Sequence, residues 1–162
     1  MPPGYTLASS NTRKAYKMIG SLNYSDAQTA CKADKSWLAM PKSSDDMADI
    51  YQICMTQNKT LVILKKRINS LIVATVGWIG IMKNENVNLG SNAASAADAE
   101  KYLEYYDGTP YTAIGGVSIL ANENNAMCFI LYDIYGSNWH DNPCSDEYWV
   151  ICEFNCENVN YN

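Results

Sequence analysis

The sequence predicts an α+β domain stabilised by disulfides. Three observations carry this reading. Helix-type periodicity is confined to the first third of the chain, and strand-like segments follow it. Six cysteines occur in 162 residues with no Cys-x-x-Cys pair.

The first strand is expected at Ala15–Ile19. A helix then starts at Ser25, whose hydroxyl can cap free N–H groups, with Gln28 reaching back in a capping box. Ala27, Ala30 and Cys31 fall on one face at helical spacing. A second helix opens near Ser43–Asp46, where acidic residues suit the positive end of the helix dipole. Met47, Ile50, Tyr51 and Cys54 follow at i, i+3, i+4 and i+7, which places Cys54 on the buried face. Residues Ile72–Met82 read as a buried strand centred on Trp78-Ile79-Gly80-Ile81, so Trp78 is expected in the core. A long loop rich in Asn, Ser, Ala and Gly runs from Asn84 to Ala97. Tyr102–Tyr106 is a strand closed by the turn signal Asp107-Gly108. Thr109–Asn125 carries few signals of either kind. Short strands follow at Phe129–Tyr132, Asn138–Trp139 and Tyr148–Phe154.

Composition narrows the function classes. Nearly half the residues are apolar, with 12 Tyr and 4 Trp, which suits one domain with a sizeable core. The formal net charge is −5, and the one basic run is Lys65-Lys66-Arg67. Nucleic-acid binding needs a basic stripe, so it is not expected. His140 is the single histidine, so a zinc site is not expected either. Disulfides imply an oxidising, extracellular setting. The sequons at Asn23 and Asn58 agree with that setting and mark both as glycosylation sites. The start, Met1-Pro2-Pro3-Gly4, reads as a mature chain with an added initiator Met. No stretch of 18 apolar residues occurs, so no membrane insertion is expected.

Several linked segments resemble the C-type lectin family. These are Tyr24-Ser25-Asp26-Ala27-Gln28 leading to Cys31, then Leu38-Ala39-Met40-Pro41 and Trp78-Ile79-Gly80-Ile81. Tyr105-Tyr106-Asp107-Gly108-Thr109-Pro110, Trp139-His140-Asp141, and Cys144 spaced seven residues from Cys152-Glu153-Phe154 complete the series. The resemblance spans about residues 15 to 154. It implies a C-type-lectin-like fold: two helices, small antiparallel sheets and a long loop region. It divides the chain into a 1–14 extension, a 15–156 domain and a 157–162 tail. It implies bridges Cys31–Cys152 and Cys128–Cys144, worth about 4–5 and about 3 kcal/mol on chain entropy. Cys54 and Cys156 are left over. A third bridge between them is the preferred reading; two free thiols, or a covalent dimer through Cys156, are the alternatives.

The resemblance also implies where a ligand binds. Family members hold sugar through calcium, which needs six to eight oxygen ligands. The corresponding positions here are Asn122, Glu123, Asn124, Asn125, His140 and Asp141, with Glu123, Asn124 and Asp141 as candidate calcium ligands. The family's proline is missing from the Asn122–Asn125 segment. Ala126 and His140 stand where the family has oxygen ligands, so calcium binding is expected to be weak or absent. Competing readings make Trp139 a core anchor, His140 an exposed loop residue and Asn122–Asn125 a plain turn.

Three functions compete. The first is a secreted domain binding a glycan or cell-surface glycoprotein. The second is a calcium-independent binder of protein or another surface, suited by the aromatic content. The third is an enzyme. One histidine, with no evident partner serine or paired carboxylates, argues against catalysis.

Overall fold

A computed structural model describes residues 1–57, 77–83, 100–114, 118–120, 126–131 and 138–158. The expected long loop at Asn84–Ala97 and the Lys65–Arg67 run lie outside the described residues. So do Asn58 and Asn122–Asn125. The strands are β1 (Thr6–Leu7), β2 (Lys14–Leu22), β3 (Trp37–Leu38), β4 (Gly77–Lys83), β5 (Leu103–Tyr105), β6 (Ser118–Leu120), β7 (Cys128–Leu131), β8 (Asn138–Asn142) and β9 (Tyr148–Asn155). Helices α1 (Tyr24–Ala33) and α2 (Ser44–Gln57) precede β4, and a 3-10 turn covers Cys156–Asn158.

The expected α+β order holds. The main sheet runs β1-β2-β9-β4-β7-β8-β6, with β3 on β9 and β5 on β4. The β2–β9 ladder is antiparallel and pairs Lys14 with Asn155 and Met18 with Ile151. Two apolar clusters form. One holds Ile50, Ile53, Cys54, Ile79, Ile81, Phe129, Leu131 and Trp139. The other holds Ala27, Cys31, Trp78, Ile130, Val150 and Cys152. Trp78 is fully buried, as its central position in an apolar strand predicts.

Several local expectations need correction. Helix α1 starts one residue before Ser25, and its cap is Asn23, whose side chain accepts from the Asp26 N–H at 3.0 Å. An Asn amide can cap as well as a Ser hydroxyl, and Tyr24 is buried, which fixes the earlier start. The 1–14 extension is built into the fold. Tyr5 is buried, β1 pairs with β2, and both Ser9 and Ser10 bond to Asp49 of α2 through backbone and hydroxyl. These bonds hold the Asp49 carboxyl below its ordinary value despite its burial. Inside the signal-poor stretch Thr109–Asn125, β6 forms because it finds a parallel partner in β8. A tertiary partner of that kind leaves no mark on local sequence pattern.

Polar groups enter the core where they have partners. Lys14 bridges Asp46 at 3.1 Å and Glu153 at 3.2 Å. Burial pushes the Glu153 carboxyl above its ordinary value, and Lys14 opposes that shift. Two glycines in β4 permit close packing. A Cβ at Gly77, where φ is +152°, would lie 2.3 Å from the Trp149 carbonyl oxygen. One at Gly80 would lie 2.9 Å from the Leu38 carbonyl oxygen. The β4–β9 and β3–β4 approaches therefore depend on glycine.

Bridges Cys31–Cys152 and Cys128–Cys144 are present. The expected Cys54–Cys156 bridge is not, and both are free thiols. The reason is placement: Cys54 belongs to the α2-facing cluster, whereas Cys156 packs against the other one. Burial pushes the Cys54 thiol up to about 12, so roughly one part in ten thousand is thiolate at pH 8. Alkylation of the native protein at pH 8 should therefore modify Cys156 and spare Cys54. Mass spectrometry that finds both thiols blocked from alkylation after denaturation would restore the bridge.

Candidate functional site

The candidate site lies along β8, which carries the Trp139-His140-Asp141 segment. Alternation along the strand sends Trp139 and Asp141 to one face and His140 to the other. Trp139 is fully buried and meets Tyr111 edge to face at 5.4 Å, so it is a core anchor. The register pairs Leu131 with Trp139, Ile130 with His140 and Phe129 with Asp141. On the other side of β8, Leu120 pairs with His140. This joins the stretch expected to carry recognition to the histidine expected to share in it.

His140 is half-buried, and its Nδ1 lies 2.6 Å from the Asp141 carbonyl oxygen. A proton on Nδ1 satisfies that contact and fixes the ring plane. Asn142 follows, its amide nitrogen 3.3 Å from the His140 carbonyl and its amide oxygen accepting from the Tyr148 hydroxyl at 3.0 Å. The polar groups of this edge are thus tied to one another and to the start of β9.

Asp141 differs most from expectation. Its side chain is fully buried and forms an ion pair with Lys83, itself 7% exposed at the end of β4. A carboxylate on the core face of a strand must be paired, and a lysine stem long enough to cross β7 pairs it. The Asp141 carboxylate is therefore committed to Lys83, and the described residues do not fit calcium. A dication at this carboxylate would stand beside an ammonium, and like charges repel. Ala126, also buried, has no ligating side-chain atom. Among the described residues no group of three or more His, Cys, Asp or Glu could hold a metal ion. The other candidate ligands, Asn122, Glu123, Asn124 and Asn125, lie outside the described residues.

Of the two sequons, Asn23 spends its side chain on the α1 cap, with Nδ2 donating to Asp26 at 2.8 Å. Lys83 is the residue that sequence reasoning missed. Its signal was a lone charge closing the apolar run Gly77–Met82, in a chain whose Trp-His-Asp segment carries a carboxylate that needs a partner.

No family model matches the chain. Solved structures match it over nearly its whole length. The calcium-independent C-type lectin SPL-2 from Saxidomus purpuratus is 19% identical, with 97% of this chain and 95% of that one covered at a TM-score of 0.63. A calcium-dependent type II antifreeze protein in its calcium-free form is 17% identical, with 95% and 99% covered at 0.62. The carbohydrate-recognition domain of the mouse scavenger receptor C-type lectin is 18% identical, with 96% and 98% covered at 0.57. The chain has the C-type-lectin-like fold.

Proposed function

We propose that this chain is a secreted recognition domain that binds carbohydrate, with weak or absent calcium dependence. The observation that carries the reading is whole-chain likeness to a carbohydrate-recognition domain and to a calcium-independent C-type lectin. The contacts come from the segment Ala113–Asn125, including Asn122, Glu123, Asn124 and Asn125, together with His140. Asp141 supports that edge from the core side. Loops held by a rigid scaffold are the usual place for recognition, and β6 ties this segment to β8. Ala126 and His140 supply no carboxylate, and the Asp141 carboxylate is taken by Lys83, which supports weak calcium binding.

A glycan array probed in calcium chloride and again in EDTA tests this. Binding of one glycan class to about the same level in both conditions is the expected result. Titration calorimetry giving micromolar calcium affinity would refute the weak-calcium part, and a blank array in both conditions would refute the carbohydrate part. A blank array would favour the second reading, a protein- or surface-binding domain. Exposed Trp37, which packs on Tyr106, and exposed Trp149 speak for that reading. No helix among the described residues is long and apolar enough to cross a membrane.

A further inference from the structure

Two buried carboxylates share one ammonium at the junction of β2, α2 and β9. The Lys14 Nζ lies 3.1 Å from Asp46 Oδ2 and 3.2 Å from Glu153 Oε1, and the two acidic side chains are only 8% and 10% exposed. One positive charge cannot balance two negative ones. The cluster therefore carries a surplus negative charge where desolvation makes charge costly. We propose that this cluster is an acid-strengthened latch: Glu153 takes up one proton from solvent under mildly acidic conditions, and the fold is then more stable than at neutral pH.

The surroundings decide which carboxylate takes the proton. Asp46 stands in the first turn of α2, where the helix dipole favours negative charge, and its Oδ2 also accepts the Lys42 N–H at 2.9 Å. Glu153 has one further donor, the Met40 N–H at 3.1 Å from Oε2. The other titratable groups around the pair bring no positive charge. Tyr16 of β2 is fully buried, and its hydroxyl has no hydrogen-bond partner among the described residues. Burial, and then Glu153 and Asp46, push that hydroxyl above its ordinary value, so it stays neutral. Tyr105 of β5 is raised by burial in the same way, and it donates to the Pro41 carbonyl at 2.7 Å. Asp49, three residues along α2 from Asp46, adds a further negative charge, which Ser9 and Ser10 bind.

Burial dominates the upward shift of Glu153, and Lys14 and the Met40 N–H oppose it. A carboxyl raised in this way binds its proton more readily in the folded state than in the unfolded chain. Its contribution to stability is complete below the ordinary glutamate value of about 4.3, and it is lost as pH rises through the folded value. Proton uptake neutralises Glu153 and leaves Lys14 to Asp46 alone. The junction is thus firmer in acidic surroundings than in neutral ones, whatever the domain binds.

Urea unfolding of the parent and of Glu153→Gln, each at about pH 7.5 and about pH 5, isolates this proton. Glutamine resembles the protonated acid in shape and charge, and the titration of other groups cancels in the ratio of the two unfolding constants. That ratio, parent over variant, should fall by at least about threefold on acidification, and by no more than about tenfold per pH unit, the limit for one proton. A smaller fall, or a rise, overturns the proposal. Carbon-13 NMR of carboxyl-labelled glutamate in the parent decides the matter if the variant does not fold. The Glu153 resonance should titrate above the ordinary value of about 4.3. A midpoint at or below that value overturns the proposal.

Discussion

Trp78→Ala should lower unfolding stability by about 3–5 kcal/mol, the usual range for a large-to-small core change. The indole is fully buried between Tyr24 and Tyr148, both meeting it edge to face, with ring centroids 5.2 and 4.9 Å away. Its Nε1 donates to the Leu22 carbonyl at 2.8 Å, at the end of β2. Truncation leaves a cavity between α1 and the start of β9, and it strands that carbonyl. The loss is a large fraction of the roughly 5–15 kcal/mol that a domain of this kind has in total. Urea unfolding followed by circular dichroism measures it. A midpoint unchanged from the parent would show that Trp78 does not hold α1 to the sheet.

Replacing Cys31 and Cys152 by serine should cost a comparable amount, about 4–5 kcal/mol on the chain-entropy account. The bridge spans 121 residues and joins α1 to β9. Removing it lets the unfolded chain expand and also puts two polar groups at positions with no solvent access. Cys128–Cys144 closes only 16 residues, so its removal should cost less, about 3 kcal/mol. Paired urea titrations of the two double-serine variants check the order. A larger loss from the short bridge would mean that strain, and not chain entropy, sets the balance.

The elements with strong local patterns were legible. The faces of α1 and α2 follow from apolar spacing, and the buried strand around Trp78 from its apolar run. The two family bridges rested on resemblance, because spacing alone does not choose among pairings. What the sequence hid was set by tertiary partners. β6 exists because β8 is there to pair with it. The first ten residues belong to the fold because Asp49 receives Ser9 and Ser10. Cys54 and Cys156 pack in different clusters with the sheet between them, and no linear reading shows which face each takes. At the candidate site Trp139 was read correctly as a core anchor. The resemblance implies a ligand-binding role for Asp141, and alternation along β8 puts it on the same face as Trp139. Its partner is a lysine far away in sequence, which is why the pair was not foreseen.

The β2–β9 ladder has a consequence for biosynthesis. Lys14 pairs with Asn155, so the sheet cannot be completed until Asn155 has left the ribosome. Until then β2 presents an unpaired edge, and the apolar β4 lacks β9, one of its two main neighbours. Contacts of such long range close slowly, and the exposed strands favour association in the meantime. Helices α1 and α2, by contrast, are complete within the first 57 residues and can form early. The helices thus emerge before the sheet can close, and productive folding waits for the last strand.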